Sequence, residues 1–186
     1  MKLPSPTSQE YIHKAHVLEE FLAFLRASLR DEEVKKHLMF NLQDRTQWKE
    51  IARCKALETL GDNKEFEKQF TISTFALETD FYHQLPPYDQ DNHLNVFIDH
   101  FIEQITDDNT GFFFQKNLSA ITKTNFLKDL MNAVSKVFFH SKNSLTRQQR
   151  LDFISITYLM LYLRCLDEIK PDSISFTCKD CVDLGM

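Results

Sequence analysis

The sequence predicts a mainly α fold: a helical domain that ends in a single C-terminal β-strand. Three observations lead there. Only 3 glycines among 186 residues leave few tight turns, which favours helices joined by polar loops. At least five segments repeat apolar residues at intervals of three and four, the mark of a helix with one buried face. One stretch alone alternates clearly, with Ser173, Ser175 and Thr177 set against Ile174 and Phe176, the period of a strand.

Taken in order, residues 1–7 read as a Pro/Ser leader without structure, and residues 8–186 as one mainly helical domain. A first helix is predicted over residues 8–28, because Ile12, Ala15, Leu18, Leu22 and Leu25 step by three and four. His16 and Glu20 would form an i,i+4 pair on its solvated side. Asp31 would cap a second helix reaching residue 42, with Glu32 and Glu33 in its first turn. A third is predicted over 46–60, closed by Gly61-Asp62-Asn63, with Trp48 as a core or interface anchor. Residues 65–85 carry helical spacing in Phe66, Phe70, Leu77, Phe81 and Leu85, although Thr71-Ile-Ser-Thr-Phe75 has strand composition; helix is the expectation.

Pro86-Pro87-Tyr88 is the clearest break, and residues 86–90 mark a sub-boundary. Helices are then expected over 91–106 and 125–140, with Asp107-Asp-Asn-Thr-Gly111 as a loop between them. Thr146-x-x-Gln149 is a capping box that opens the last helix. That helix is apolar on nearly every side from Phe153 to Leu166 and should be buried all round. Pro171 ends the approach to the strand.

Composition excludes several classes. A net charge of −5 and a pI near 5.8 give no basic footprint, so no nucleic-acid partner is expected. The most apolar run, Phe153 to Leu163, is far short of the roughly 20 residues needed to cross a bilayer. No secretory signal peptide is legible at the N-terminus, so the expected location is cytoplasmic, or secreted by a route without such a signal. Four cysteines, Cys54, Cys165, Cys178 and Cys181, are too few for a disulfide framework and fit a reducing compartment. His93, His100 and Glu103 share a helical face but do not supply the doubled Glu-x-x-His of a di-metal bundle. Neither a metal nor a cofactor is expected.

The candidate chemistry lies at the end of the strand, in Cys178-Lys179-Asp180-Cys181-Val182-Asp183-Leu184. This segment resembles the signature loop of cysteine-dependent phosphatases, in which a strand delivers Cys-x5-Arg. It is most similar to the Cys-Lys-Ser-x-x-Asp-Arg-Thr form of inositol polyphosphate 4-phosphatases and related bacterial effector phosphatases. The resemblance covers about nine residues. It would put Cys178 at the nucleophile position, Lys179 at the lysine and Asp183 at the aspartate, and it would make the chain the front part of an α/β phosphatase-like fold. The run Leu151 to Gly185 is also similar to uncharacterised proteins of chlamydia-type intracellular bacteria.

The loop departs from that pattern where phosphate is held. A thiolate nucleophile needs amides and positive charge around it, and an arginine fork holds the phosphoryl oxygens in the transition state. Leu184 stands where the arginine belongs. Lys179 against Asp180 and Asp183 leaves the loop net negative. The sequence given ends two residues after Leu184, so the helix whose N-terminus faces the phosphate is expected to be missing.

The expectation is therefore a truncated or inactive phosphatase-like bacterial protein, effector-related, acting through a protein partner or self-association and not on a phosphorylated ligand. Three alternatives stay open for the same residues. Cys178-x-x-Cys181 is a thiol-redox spacing, or half of a zinc site. Both cysteines also suit plain packing near a chain end, in a protein-interaction domain with no phosphatase relationship. An unpaired strand at 172–177 would invite self-association.

Overall fold

A computed structural model of the chain describes residues 2–28 and 35–178. The fold is mixed α/β, not mainly α with one strand. Its centre is a five-stranded sheet in the order β1-β7-β4-β5-β6. The strands are β1 (Lys2–Pro4), β4 (His37–Asn41), β5 (Phe70–Phe75), β6 (Phe112–Phe114) and β7 (Ser173–Cys178). The first four in space run parallel, and β6 closes the far edge antiparallel to β5. A separate hairpin pairs β2 (Thr7–Tyr11) with β3 (Lys14–Val17). Six α-helices complete the described residues: α1 (Glu19–Ala27), α2 (Ile51–Gly61), α3 (Asp80–His83), α4 (Leu94–Thr106), α5 (Thr124–Phe139) and α6 (Arg147–Ile169).

Two corrections, strands where helices were expected up to residue 42 and over 65–85, have one physical origin. All five residues of β4 and all six of β5 are buried. A parallel strand covered on both faces has no polar side to show, so its sequence does not alternate. Leu38 and Phe40 face one hydrophobic cluster while Met39 faces the other. Phe70 and Phe81, expected on one helical face, belong to different clusters on opposite sides of the sheet. Further upstream, the expected helix over 8–28 survives only as α1. Its first half is the β2–β3 hairpin, which packs on α2. The expected His16–Glu20 pair is absent from that geometry, and both Lys14 and His16 meet Glu10, at 2.6 and 3.6 Å. Lys2–Pro4, inside the leader expected to be unstructured, pairs with β7.

Two helical layers cover the sheet. Phe21 and Leu25 of α1 and Leu57 and Leu60 of α2 pack with Met39, Phe70 and Ile72 on one face. On the other, α4, α5 and α6 pack with Leu38, Phe40 and Phe75. This larger cluster takes residues from both sides of the 86–90 break. Arg150 fastens the break itself. Its buried guanidinium donates to Gln84 Oε1 (2.6 Å), Asn92 Oδ1 (2.7 Å) and the carbonyls of Asp89 (2.8 Å) and Leu145 (3.2 Å).

The later helices stand as the periodicity predicts. Both bonds of the Thr146–Gln149 capping box are made. Two details differ. Trp48 is 57% exposed and anchors no core. The last helix is apolar on nearly every side, yet Leu159 and Leu163 of α6 are 53% and 51% exposed, so it is not buried all round. No helix among the described residues is long and apolar enough to cross a membrane.

Candidate functional site

Open α/β sheets hold ligands at the carboxyl ends of their parallel strands, and this is the end to which Cys178 belongs. β7 is an interior strand, with Pro4 of β1 in register with Cys178 and Asn41 of β4 with Thr177. The strand expected to be an unpaired edge is thus bonded on both sides. It alternates as the sequence indicated: Phe176 and Cys178 turn toward the α6 layer, and Ser173 and Ser175 turn toward the α1 layer. Phe176 stacks on Phe40 at 5.0 Å and meets Tyr162 of α6 edge-on at 5.5 Å. Cys178 is 2% exposed and forms part of the same hydrophobic cluster. Lys179, Cys181, Asp183 and Leu184 lie outside the described residues.

The turn after β4 supplies the polar groups beside that strand end. Asn41 donates through Nδ2 to Cys54 Sγ (3.3 Å) and Thr74 Oγ1 (3.4 Å), and its Oδ1 accepts from the Gln43 side chain at 3.0 Å. Gln43 Nε2 donates also to Ser5 Oγ at 3.1 Å. Asp44 folds back to accept from the amide and hydroxyl of Thr46, at 2.9 and 2.7 Å. Gln43 Oε1, Asp44 Oδ2 and Thr177 Oγ1 are buried without a hydrogen-bond partner among the described residues. Arg45 is the one cation between Asn41 and Thr46, and its charge is already committed. It makes a two-pronged bond to Glu58 at 2.9 and 3.2 Å and donates to the carbonyls of Asp108, Thr110 and Phe112.

Among the described residues these surroundings are neutral to acidic. A phosphate dianion placed here would meet amide and hydroxyl groups and the Asp44 carboxylate, with Arg45 turned to the β6 side. The other two described thiols are buried as well. Burial pushes Cys54 and Cys165 up to about 12, which leaves almost no thiolate at neutral pH. No group of three or more His, Cys, Asp or Glu among the described residues is placed to hold a metal ion.

The chain matches no protein-family model, no characterised protein and no solved structure.

Glu78 and His83 are exposed and meet each other at 3.4 Å, and Asp80 sits in the first turn of α3. His100 pairs with Asp91 at 2.6 Å instead of with Glu103.

Sequence reasoning missed a second place, on the other face of β7. His37 lies at the start of β4, its ring bonded through Nδ1 to Ser173 Oγ (2.8 Å) and through Nε2 to Ser175 Oγ (2.9 Å). Phe21 and Phe24 of α1 meet the ring edge-on at 6.1 and 5.3 Å, and Phe70 stacks on it at 6.3 Å. Burial holds the imidazole down at about 4, so it is neutral at pH 7. His37, Ser173 and Ser175 with Phe21 and Phe24 floor and wall a cavity of about 610 Å³ between α1 and β7. The only advance signal was the Ser-x-Ser polar side of β7. Its partner is more than 130 residues away in the chain.

Proposed function

We propose that this chain is an inactive relative of the Cys-x5-Arg phosphatases of bacterial effector type, working by protein binding instead of phosphoryl transfer. The observation that carries the reading is the position of Cys178 at the carboxyl end of an interior parallel strand, beside a β4 whose following turn has one cation, Arg45, bound to Glu58. The strand-to-loop delivery of the family is what the resemblance implies. The means of stabilising a phosphoryl group are not supplied by Asn41, Gln43 and Asp44, and Leu184 offers no donor in the sequence. Loss of one oxyanion donor already costs roughly 10²–10³ in rate.

The binding face that best suits this reading is the outer side of α6. Leu159 and Leu163 are exposed there, and Ile156 and Leu166 are partly so. Their spacing of three, four and three is the seam of a helix made to meet another helix, and a second copy of α6 presents the same seam. The test is twofold. Aryl phosphate and inositol phosphates should not be turned over above the level of a Cys178→Ser variant. Sedimentation at rising concentration should show self-association that Leu159→Glu with Leu163→Glu abolishes. Turnover lost in Cys178→Ser would overturn the inactive reading, and a strictly monomeric chain at high concentration would remove the α6 face.

One observation favours a second reading. The Cys178 side chain sits in the hydrophobic cluster with Phe40 and Leu161, as a packing residue would. A protein-interaction domain with no phosphatase relationship would show the same silence toward phosphates. The two part on Leu184→Arg: tungstate affinity should rise in a phosphatase-like loop and stay unchanged in an unrelated one.

A further inference from the structure

The cavity between α1 and β7 is built unlike the carboxyl-end crest, and its construction follows from the sequence of β7. Apolar side chains of that strand go to the α6 layer, so the α1 side of β7 carries only Ser173, Ser175 and Thr177. No β7 side chain joins the hydrophobic cluster under α1 and α2. Phe21 and Phe24 reach over His37, and the room left above the serines is the cavity. Leu18 and Pro6 complete an apolar wall, and Glu20 is the single carboxylate among the described lining residues. A volume of about 610 Å³ is within the usual range of small-molecule sites, which are mostly apolar with a few convergent polar groups.

The polar floor has a definite hydrogen-bonding capacity. A neutral imidazole donates through one nitrogen and accepts through the other. One serine therefore accepts from the ring and keeps its own proton to donate, and the other donates to the ring and keeps its lone pairs. Whichever tautomer is present, the Ser173–His37–Ser175 chain offers one outward donor and one outward acceptor. A hydroxyl group matches that pair. Charge is disfavoured: among the described residues the lining has no cation to receive an anion, and the apolar walls would strip water from any ion without replacing it.

We propose that this cavity binds an uncharged, largely apolar small molecule bearing one hydroxyl head group, engaged by the Ser173–His37–Ser175 chain. Phe21 and Phe24 hold the apolar body by contact area and ring packing. The site lies at the Ser173–Ser175 end of β7, and Cys178 ends the strand at the other.

The test uses three small probes on the full chain, 1-naphthol, naphthalene and 1-naphthoate, in fluorescence or calorimetric titrations. 1-Naphthol should bind saturably at one site, several-fold tighter than naphthalene and about tenfold or more tighter than 1-naphthoate. Addition of 1-naphthol should shift the His37 imidazole proton signals. Ser173→Ala should bring the preference for 1-naphthol over naphthalene close to one while leaving naphthalene binding as it was. Phe24→Ala should weaken both probes. Far-ultraviolet dichroism of each variant checks that the fold is kept. Absence of saturable 1-naphthol binding, equal binding of 1-naphthoate, an unmoved His37 signal, or an unchanged preference in Ser173→Ala would each overturn the proposal.

Discussion

The two sides of β7 differ in what the chain does with the same alternating strand. Toward α6, Phe176 and Cys178 are packed into a cluster where Phe40, Phe75, Tyr158 and Tyr162 meet ring against ring. Toward α1, Ser173 and Ser175 are small and polar, fill no volume, and leave His37 at the bottom of an open cavity. The reactive-looking residue is on the dense side. The space is on the other. A cysteine at a strand end is therefore not enough to locate a site; which face it takes, and what the neighbouring charges are doing, decides.

The largest expected effect breaks the dense side. Phe40 is fully buried against Phe176 at 5.0 Å and Tyr162 at 4.8 Å. Phe40→Ala should cost about 3–5 kcal/mol in chemical denaturation. Ser173→Ala on the open side should cost under about 1 kcal/mol. Equal losses would mean that the two faces are packed alike.

Acid should act on the open side. His37 is held at about 4 by burial, below the ordinary 6.5. The unfolded chain then binds the extra proton first as pH falls. Its contribution is complete above about pH 6.5 and is lost progressively down to about pH 4, amounting to at most about 3 kcal/mol. Denaturation midpoints measured from pH 7 to pH 4 should fall less steeply in His37→Gln than in the natural chain. The same slope in both would remove His37 from the account. A smaller effect is expected at the start of α6, where Thr146→Ala breaks the capping box and should cost about 1 kcal/mol in the same assay. Smaller still is the stability change from Leu159→Glu, within about 0.5 kcal/mol, because that side chain faces outward.

How much of this was legible depended on what each segment shows to solvent. The helices α4, α5 and α6 each have a polar side, and their caps and stripes could be read directly. α6 misled only in its depth: Leu159 and Leu163 are apolar but outward, and composition cannot distinguish a partner-facing side from a core-facing one. β4 and β5 lie between two layers, so Leu38-Met39-Phe40 and Phe70 to Phe75 carry no alternation, and the chance spacing of phenylalanines around them imitates a helix. The β2–β3 hairpin was hidden because Ile12, Ala15 and Leu18 continue the true period of α1 backwards. For the site, the position of Cys178 at the end of a strand was readable. Its side was readable only once β4 was known to be its neighbour. The His37 contacts join residues 136 and 138 positions apart, and no local pattern encodes them.

Thiol alkylation tests most directly whether Cys178 serves packing and not catalysis. The native chain and the urea-unfolded chain would be treated with iodoacetamide at neutral pH, and labelling read peptide by peptide so that Cys54, Cys165, Cys178 and Cys181 are distinguished. The account predicts that Cys178, 2% exposed within the α6-side cluster, is modified far more slowly in the native chain than in the unfolded one, as Cys54 and Cys165 should be. Labelling of Cys178 that is faster in the native chain would reveal an accessible, activated thiolate and contradict it.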